Sequence, residues 1–199
     1  CFPAARRVTD HFHVQKLAFE ALQEMRVKAR WEALDKESIQ IAYAKACGKI
    51  YHAPTFENGD SRKQLLARSI YLLYKKESLW TESQRIRAGI LFREYPDLKK
   101  AYYLSMRLGL IYHQCKHKDT ALTRLARWYD EVEKSGFLAF GRVIRSIQTH
   151  YLEIVNFFDR RSTNAASESF NAKIKDFRTQ FRGVKDRTFF LFRLTKIYA

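Results

Sequence analysis

The apolar positions of the chain recur mainly with the spacing of an α-helix. The clearest series falls at i, i+3, i+4, i+7, i+8 and i+11, and consists of Val14, Leu17, Ala18, Ala21, Leu22 and Met25. This spacing places apolar side chains along one face of a helix and predicts an amphipathic element. A second helical stretch is predicted over about 31–47. Residues 4–9 end in β-branched side chains and favour one short strand ahead of the first helix.

Turn and capping signals divide the middle of the chain. Asn58-Gly59-Asp60 predicts a turn, after which Ser61 caps a helix reaching about Lys76. The inner face of that helix is predicted to contain Leu65, Leu66, Ser69, Leu72 and Leu73. Thr81 and Gln84 have the spacing of a capping box, in which two free N–H groups at a helix start are satisfied.

Further breakers follow towards the end of the chain. Pro96 predicts that the helix begun near Thr81 ends by Tyr95, because proline disfavours helical geometry before it. Asp97 is predicted to cap a helix to about Cys115, and the next opens at Asp119 or Thr120. That helix ends at Ser135-Gly136, with Leu122, Leu125, Ala126 and Tyr129 inward. One long pattern then covers 137–158, one helix covers about 164–177, and a last helix begins near Thr188.

Composition supports a folded, helical protein. Hydrophobic residues make up 46% and aromatic residues 15% of the 199 positions, which is enough for a packed core and argues against disorder. Only 7 glycines and 3 prolines interrupt the chain, so long helices are favoured. Trp31, Trp80 and Trp128 lie in helical patterns and are interpreted as core residues rather than as platforms for nucleic-acid bases.

The charge balance narrows the range of partners. The 37 lysines and arginines against 21 acidic residues give a net charge of +16, which favours a polyanion partner. Charge alone leaves DNA, RNA, an acidic membrane surface and a merely soluble basic protein open. The longest apolar run, Ala88 to Phe92, is too short to cross a bilayer, and no signal peptide is visible. Three cysteines do not form a disulfide framework and are typical of a reducing compartment.

The first residue, Cys1, admits two interpretations. It is either the lipid-bearing cysteine of a processed lipoprotein or the first residue of a segment cut from a longer protein. Residues 2–5 lead at once into structured-looking sequence, without the flexible polar tether expected behind a lipid anchor. A segment of a longer protein is therefore the favoured interpretation.

Two carboxylates are candidates for chemistry. The helix from about 164 has an apolar stripe of Ala166, Phe170, Ile174 and Phe177, and its opposite side contains Asn164, Glu168, Asn171, Lys175 and Arg178. A carboxylate among cations can hold a divalent metal while its neighbours hold phosphates, although an ordinary solvated face has the same pattern. Asp10 lies where the predicted strand meets the first helix, and is either a catalytic carboxylate at a strand end or an N-cap.

Two further groups of residues are candidates for binding DNA or a metal ion. Lys173, Lys175, Arg178, Arg182, Lys185 and Arg187 form a basic run near Glu168 that can hold a DNA backbone. The alternative is a solvated face. His113, Cys115 and His117 suggest zinc, but alternate residues do not share a helix face and no second pair has ligand spacing, so this site is disfavoured.

Two segments, one near each end of the chain, contain recognisable motifs. Residues 2–14 read FPAARRVTDHFHV, which resembles the segment holding the second catalytic Asp of the bacterial insertion-sequence transposases of the ISL-three group. Residues 163–175 read TNAASESFNAKIK, similar to the segment with its third acid, and Arg178, Arg182-Gly183, Phe190 and Arg193 resemble its closing stretch. The middle is similar more loosely, in Pro96-Asp97-Leu98, Ala101-Tyr102 and Trp128.

The resemblance implies that this chain is part of a DDE transposase and contains two of its three catalytic acids. Asp10 would be the second acid and Glu168 the third, with the first upstream, and both would bind Mg²⁺ or Mn²⁺ for phosphoryl transfer on DNA. Asn164 and Asn171 would join the basic residues Lys173, Lys175, Arg178, Arg182 and Lys185 in binding DNA. The chain alone, with two of three acids, is expected to be inactive.

The implied fold is mostly α, with part of a ribonuclease-H-like core interrupted by a large all-helical insertion. Residues 1–30 would hold the core strand, helix and second acid, 31–155 the insertion, and 156–199 the last core helices. Expected partners are double-stranded DNA at transposon ends and target, and further copies of the protein, in the bacterial cytoplasm at the nucleoid and not at a membrane. The alternatives are a non-catalytic basic helical module that binds nucleic acid and a helical protein-interaction scaffold.

Overall fold

The computed structural model describes residues 8–9, 11–160, 165–180, 183 and 186–198. Over these residues the protein is mostly α-helical, as predicted. Val8 and Thr9 are not in a strand, and residues 4–7 of the predicted strand lie outside the described part. The ribonuclease-H-like core therefore stays a prediction.

The helices of the described part are α1 (His11–Ala46), α2 (Arg62–Arg68), α3 (Glu82–Glu94), α4 (Pro96–Gln114), α5 (Lys118–Ser135), α6 (Leu138–Thr149), α7 (Tyr151–Arg160), α8 (Ala165–Gln180) and α9 (Arg187–Tyr198). Longer connections, of 15 and 13 residues, lie only before and after the second helix of the described part. Two 3₁₀ turns, Leu72–Tyr74 and Glu77–Leu79, lie between α2 and α3.

Helix α1 is one continuous helix of 36 residues, where the sequence predicted two stretches. No glycine or proline occurs between the two stretches, so nothing interrupts the backbone. The predicted stripe is confirmed, because its members are buried or half-buried against the rest of the bundle. The assignment of Trp31 to the core is wrong: its side chain is 63% exposed.

The connection between α1 and α2 is held by a buried carboxylate. Gly59 adopts a φ of 78°, which glycine tolerates best, and the Asp60 N–H donates to the Asn58 side chain at 3.1 Å. The Asp60 carboxylate is fully buried and accepts hydrogen bonds from Arg68 and, at 2.8 Å, from Arg87 Nε. This cluster fixes the turn against α2 and α3.

The helix starts and stops agree with the capping chemistry in most places. Gln84 N–H donates to Thr81 Oγ1 at 3.3 Å and Thr81 N–H to Gln84 Oε1 at 3.2 Å, which confirms the capping box of α3. The predicted end near Tyr95 is confirmed as well. Asp97 is not the cap of α4, because Pro96 occupies the first helical position and Tyr95 precedes it.

Two predicted helix extents and one predicted inward-facing position are wrong. Helix α2 ends at Arg68 rather than near Lys76, and its continuation folds as 3₁₀ turns that still bury Leu72 and Leu73. The single pattern over 137–158 is two helices, because the chain turns at His150. Ala126 of α5 is exposed, since the inner face of this helix is formed by Ala121, Leu125, Trp128 and Val132.

The core lies where α1 packs against α4 and α6, and α4 packs against α5. The Trp128 indole is buried and donates from Nε1 to the Leu104 carbonyl at 2.8 Å. Trp80 is also buried, and its Nε1 donates to the Leu72 carbonyl at 2.8 Å. The predicted core positions of these two tryptophans are confirmed, and both satisfy their polar atom as buried indoles must.

The chain divides into two compact units, residues 1–161 and 162–199. The first contains α1 to α7. In the second, the ring of Phe177 on α8 packs on Phe190 of α9, with centroids 5.2 Å apart. Asp186 Oδ1 accepts from the N–H groups of Thr188 and Phe189 and so caps α9. The division into a catalytic core and an inserted bundle stays a prediction.

Candidate functional site

The residues on either side of position 10 are fixed to the rest of the first unit. Thr9 N–H donates to the Glu153 carbonyl at 3.0 Å, and Thr9 Oγ1 donates to Glu153 Oε2 at 3.2 Å. The His11 ring lies 5.5 Å from Phe157 and 6.4 Å from Tyr112, measured between centroids. Asp10 itself lies outside the described residues, but its two neighbours are anchored to α7 and α4.

The floor beneath the start of α1 is aromatic. Tyr112 stacks on Phe158 with centroids 5.2 Å apart and meets Phe157 edge-on at 5.7 Å. Burial raises the pKa of the Tyr112 hydroxyl above its ordinary value, so this group stays neutral at physiological pH. Tyr112 therefore supports the start of α1 by packing.

A small cleft of about 200 Å³ lies beside the same helix start, lined by residues that include His11, Phe12, Gln15, Lys76 and Gly109. Gln15 Nε2 donates to the Ser105 carbonyl at 3.1 Å. A Cβ added at Gly109 would lie 2.6 Å from Gln15 Oε1, so glycine there lets the Gln15 side chain cross α4. The cleft thus lies beside His11, the residue that follows the candidate acid in the sequence.

Glu153 is the residue near this site that sequence reasoning missed. Its carboxylate binds Thr9 and lies 3.6 Å from His150 Nδ1, measured to Oε2. In the sequence it belongs to the apolar pattern over 137–158, which indicated a core helix and gave no sign of a contact with residue 9. Only the tertiary fold brings it beside the start of α1.

The second candidate segment lies on α8. Helical geometry places positions 168, 171, 175 and 178 on one side of this helix. The side chains of Lys175 and Arg178 on this side are exposed, whereas Phe177 of the predicted apolar stripe is buried. Lys173 is exposed as well, but it lies only about 40° round the helix from Phe177. The helix therefore separates a basic surface from an apolar one, as predicted over its described side chains.

Several predicted site residues fall outside the described part of the protein. They are Asp10, Asn164, Arg182 and Lys185, together with the side chains of Glu168 and Asn171. The convergence of Asp10 and Glu168 on one metal ion stays a prediction. The DNA-binding roles of Lys173, Lys175 and Arg178 also stay predictions, although their exposure leaves them accessible.

No other constellation of metal ligands competes with this pair in the described ranges. Among those residues, no group of three or more His, Cys, Asp or Glu side chains is placed to hold a metal ion. Cys115 is buried in the core, whereas His113 and His117 are exposed. In the same part of the chain, no helix is both long and apolar enough to cross a membrane.

Comparison with known families gives the class of the protein. A family profile described as transposase, for the DDE type of the ISL-three group, matches residues 1–194. The protein is therefore a transposase by family. More narrowly, the chain belongs to the ISL-three family of DDE transposases, which confirms the resemblance seen in the sequence. No curated protein and no solved structure matches the chain.

Proposed function

We propose that this chain takes part in metal-dependent DNA strand cleavage and strand transfer at transposon ends. The observation that carries the proposal is the family match over residues 1–194, which includes both Asp10 and Glu168. These positions lie in the two segments that resemble the family's catalytic motifs most closely. By this proposal Asp10 is the second acid and Glu168 the third of the catalytic triad.

The surroundings of the two positions support these roles. Thr9 and His11 are anchored to α7 and α4, so the chain on both sides of position 10 is fixed. Position 168 lies on α8, on the side shared with the exposed residues Lys175 and Arg178. Phosphoryl transfer on a polyanion needs acids held in place and a basic surface that binds phosphates.

The donor chemistry fits a hard divalent cation. Asp10 and Glu168 offer carboxylate oxygens, which Mg²⁺ and Mn²⁺ prefer to thiols or thioethers. When bound, such an ion activates an attacking hydroxyl and stabilises the leaving oxygen of the phosphodiester. The chain's own contribution is to hold the DNA: Lys173, Lys175, Arg178, Arg182 and Lys185 bind phosphates, and Asn164 and Asn171 donate hydrogen bonds.

The remaining parts of the proposal concern fold and setting. The acids would lie on a ribonuclease-H-like core, with the helices of 31–155 as an insertion. The partners would be double-stranded DNA at the transposon ends and at the target, and the protein would work in the bacterial cytoplasm at the nucleoid. Because the resemblance assigns two of three acids to residues 1–199, this chain alone would not cut DNA.

The test of catalysis measures Mg²⁺-dependent cutting of a duplex with the element's terminal repeats by the natural full-length protein. Asp10→Asn and Glu168→Gln should each lower the cutting rate at least about a hundredfold, because each removes a group that stabilises developing charge. DNA affinity should stay unchanged. Glu133→Gln, at an exposed acid on α5, is the matched control and should cut normally. Parent-like cutting by Glu168→Gln would contradict the proposal.

The test of DNA binding is a salt titration of duplex affinity. The double substitution Lys175→Ala and Arg178→Ala should weaken binding and lower the steepness of log K against log salt by about 0.9 for each lost phosphate contact. Lys99→Ala with Lys100→Ala, at exposed lysines on α4, is the charge-matched control. Equal losses in both double variants would mean that α8 has no special part in binding. The alternative, a non-catalytic module, predicts this binding but no cutting.

A further inference from the structure

Helix α1 has a second apolar face that the bundle does not cover. We call it the outer stripe, and it consists of the apolar residues Val27, Trp31, Leu34 and Ile41 with the polar residue Ser38 among them; Leu34 is half-buried and the others are exposed. The side chains of Val27, Trp31 and Ile41 are 39%, 63% and 45% exposed. At about 100° per residue, the stripe lies on the opposite side of α1 from the buried residues Leu22 and Ala33.

The spacing of the outer stripe is that of a helix–helix seam. Its members follow one another at intervals of four, three, four and three residues, which is the heptad alternation of a and d positions. A helix with apolar residues on both faces is normally covered on both. The seam itself contains no lysine or arginine that could bind phosphates, so a protein helix fits it better than DNA does.

The charges beside the stripe point to a second copy of this chain. Lys28 and Asp35 are one heptad apart on the same flank, and both are exposed. Neither forms an ion pair with any described residue. In a symmetric antiparallel pair, each residue of this flank faces the same flank of the other helix. Lys28 would then meet Asp35 of the partner subunit. Because the dimer is two-fold symmetric, this contact would occur at two places along the interface.

We propose that the outer stripe of α1 binds the outer stripe of a second copy, with the two helices antiparallel. A two-fold axis between positions 32 and 33 sets Trp31 against Leu34 of the partner subunit and Val27 against Ser38 of the partner subunit. A parallel pair would instead face Glu24 with Glu24 and Lys45 with Lys45 where the heptad continues at either end. The interface does not depend on the proposed DNA chemistry.

The first test measures the mass of the 199-residue chain by sedimentation equilibrium over a range of concentrations, without DNA. The parent should show a concentration-dependent dimer, and Trp31→Glu should be monomeric where the parent is dimeric. Ile39→Glu is the matched control, because Ile39 is on the same helix and 69% exposed but about 100° round from Ser38. Circular dichroism checks that both variants keep their helices. A monomeric parent, or a dimeric Trp31→Glu, would overturn the proposal.

The second test uses the flanking charges to identify the direction of the helices. Lys28→Glu and Asp35→Lys should each weaken the dimer at least about tenfold, because each sets like charges against one another. An equal mixture of the two variants should dimerise again, since opposite charges then meet at both contacts. Parallel helices would leave Lys28→Glu unaffected, because position 28 would not face position 35. Dimerisation of Lys28→Glu at the parent's affinity, or no recovery in the mixture, would refute the antiparallel arrangement.

Discussion

Two carboxylates of one turn each form an ion pair with arginine, one buried and one exposed. We predict that only the buried pair contributes substantially to the free energy of unfolding. Asp60 is fully buried and bound by Arg68 and Arg87. Glu57, three residues earlier, binds both Nη atoms of Arg93 at 3.0 and 3.1 Å, but both side chains are more than half exposed. The substitutions Asp60→Asn and Glu57→Gln remove one charge each and keep the side-chain size.

The expected effect of Asp60→Asn is large because it leaves Arg87, only 17% exposed, without its partner. Removing one member of a buried pair typically costs about 3–5 kcal/mol. Arg68 is 56% exposed and can return to water, so the lower end, about 3 kcal/mol, applies here. Glu57→Gln should leave stability unchanged within error, because exposed ion pairs contribute little.

The pH dependence has a defined sign. Burial by itself would raise the pKa of Asp60, but hydrogen bonds from Arg87 and Arg68 outweigh it and hold the pKa below its ordinary value. The stabilisation is therefore fully present above the unfolded pKa of about 3.9, and is lost as pH falls through the lower folded value. The difference between the parent and Asp60→Asn should shrink below about pH 4.

The assay is urea unfolding followed by the helical circular dichroism signal, repeated as thermal unfolding. About 3 kcal/mol corresponds to a fall in Tm of roughly 6–12 °C for a chain of this size. Adding Arg87→Leu to Asp60→Asn should recover part of the loss, since no buried cation then remains unpaired. Equal changes in Asp60→Asn and Glu57→Gln would refute the reasoning that burial decides the contribution of each pair.

Five further substitutions test the packing and capping of the bundle, each by urea unfolding. Trp128→Ala should destabilise the protein by about 3–5 kcal/mol because it empties a fully buried site, whereas Leu152→Ala, at a side chain 72% exposed, should have little effect. Gly136→Ala should cost about 1–2 kcal/mol because its φ of 69° is left-handed. Gly89→Ala, in the exposed interior of α3 with open space around it, should stabilise by about 0.5–1 kcal/mol. Thr81→Ala should cost about 0.5–2 kcal/mol by removing the cap of α3.

The sequence predicted those parts of the fold that local chemistry determines. The capping box at Thr81, the stop before Pro96 and the end at Gly136 follow from single residues whose backbone preferences are strong. The errors fall where tertiary packing decides. Trp31 is exposed although its type favours burial, because the bundle covers the other side of α1.

Local sequence patterns predicted the candidate site less well than they predicted the helices. An acid at the start of a helix has the same local pattern whether it caps the helix or holds a metal, so Asp10 was identified only by resemblance to the family. The contact between Thr9 and Glu153 joins residues far apart in sequence and has no local signature. The periodicity of apolar residues therefore predicted the helices, whereas the candidate catalytic residues were chosen by their resemblance to the family's motifs.

The length of the unbroken helix α1 sets the distance between the candidate sites of two paired copies. At about 1.5 Å per residue, 36 residues make a rod of about 54 Å, with the candidate acid just before its first residue. Under the pairing proposed here, the two copies of His11 would lie about 65 Å apart, at opposite ends of the joined rods. That distance equals about 19 base-pair steps of duplex. If Asp10 has the catalytic role proposed above, its two copies would act on separate stretches of DNA.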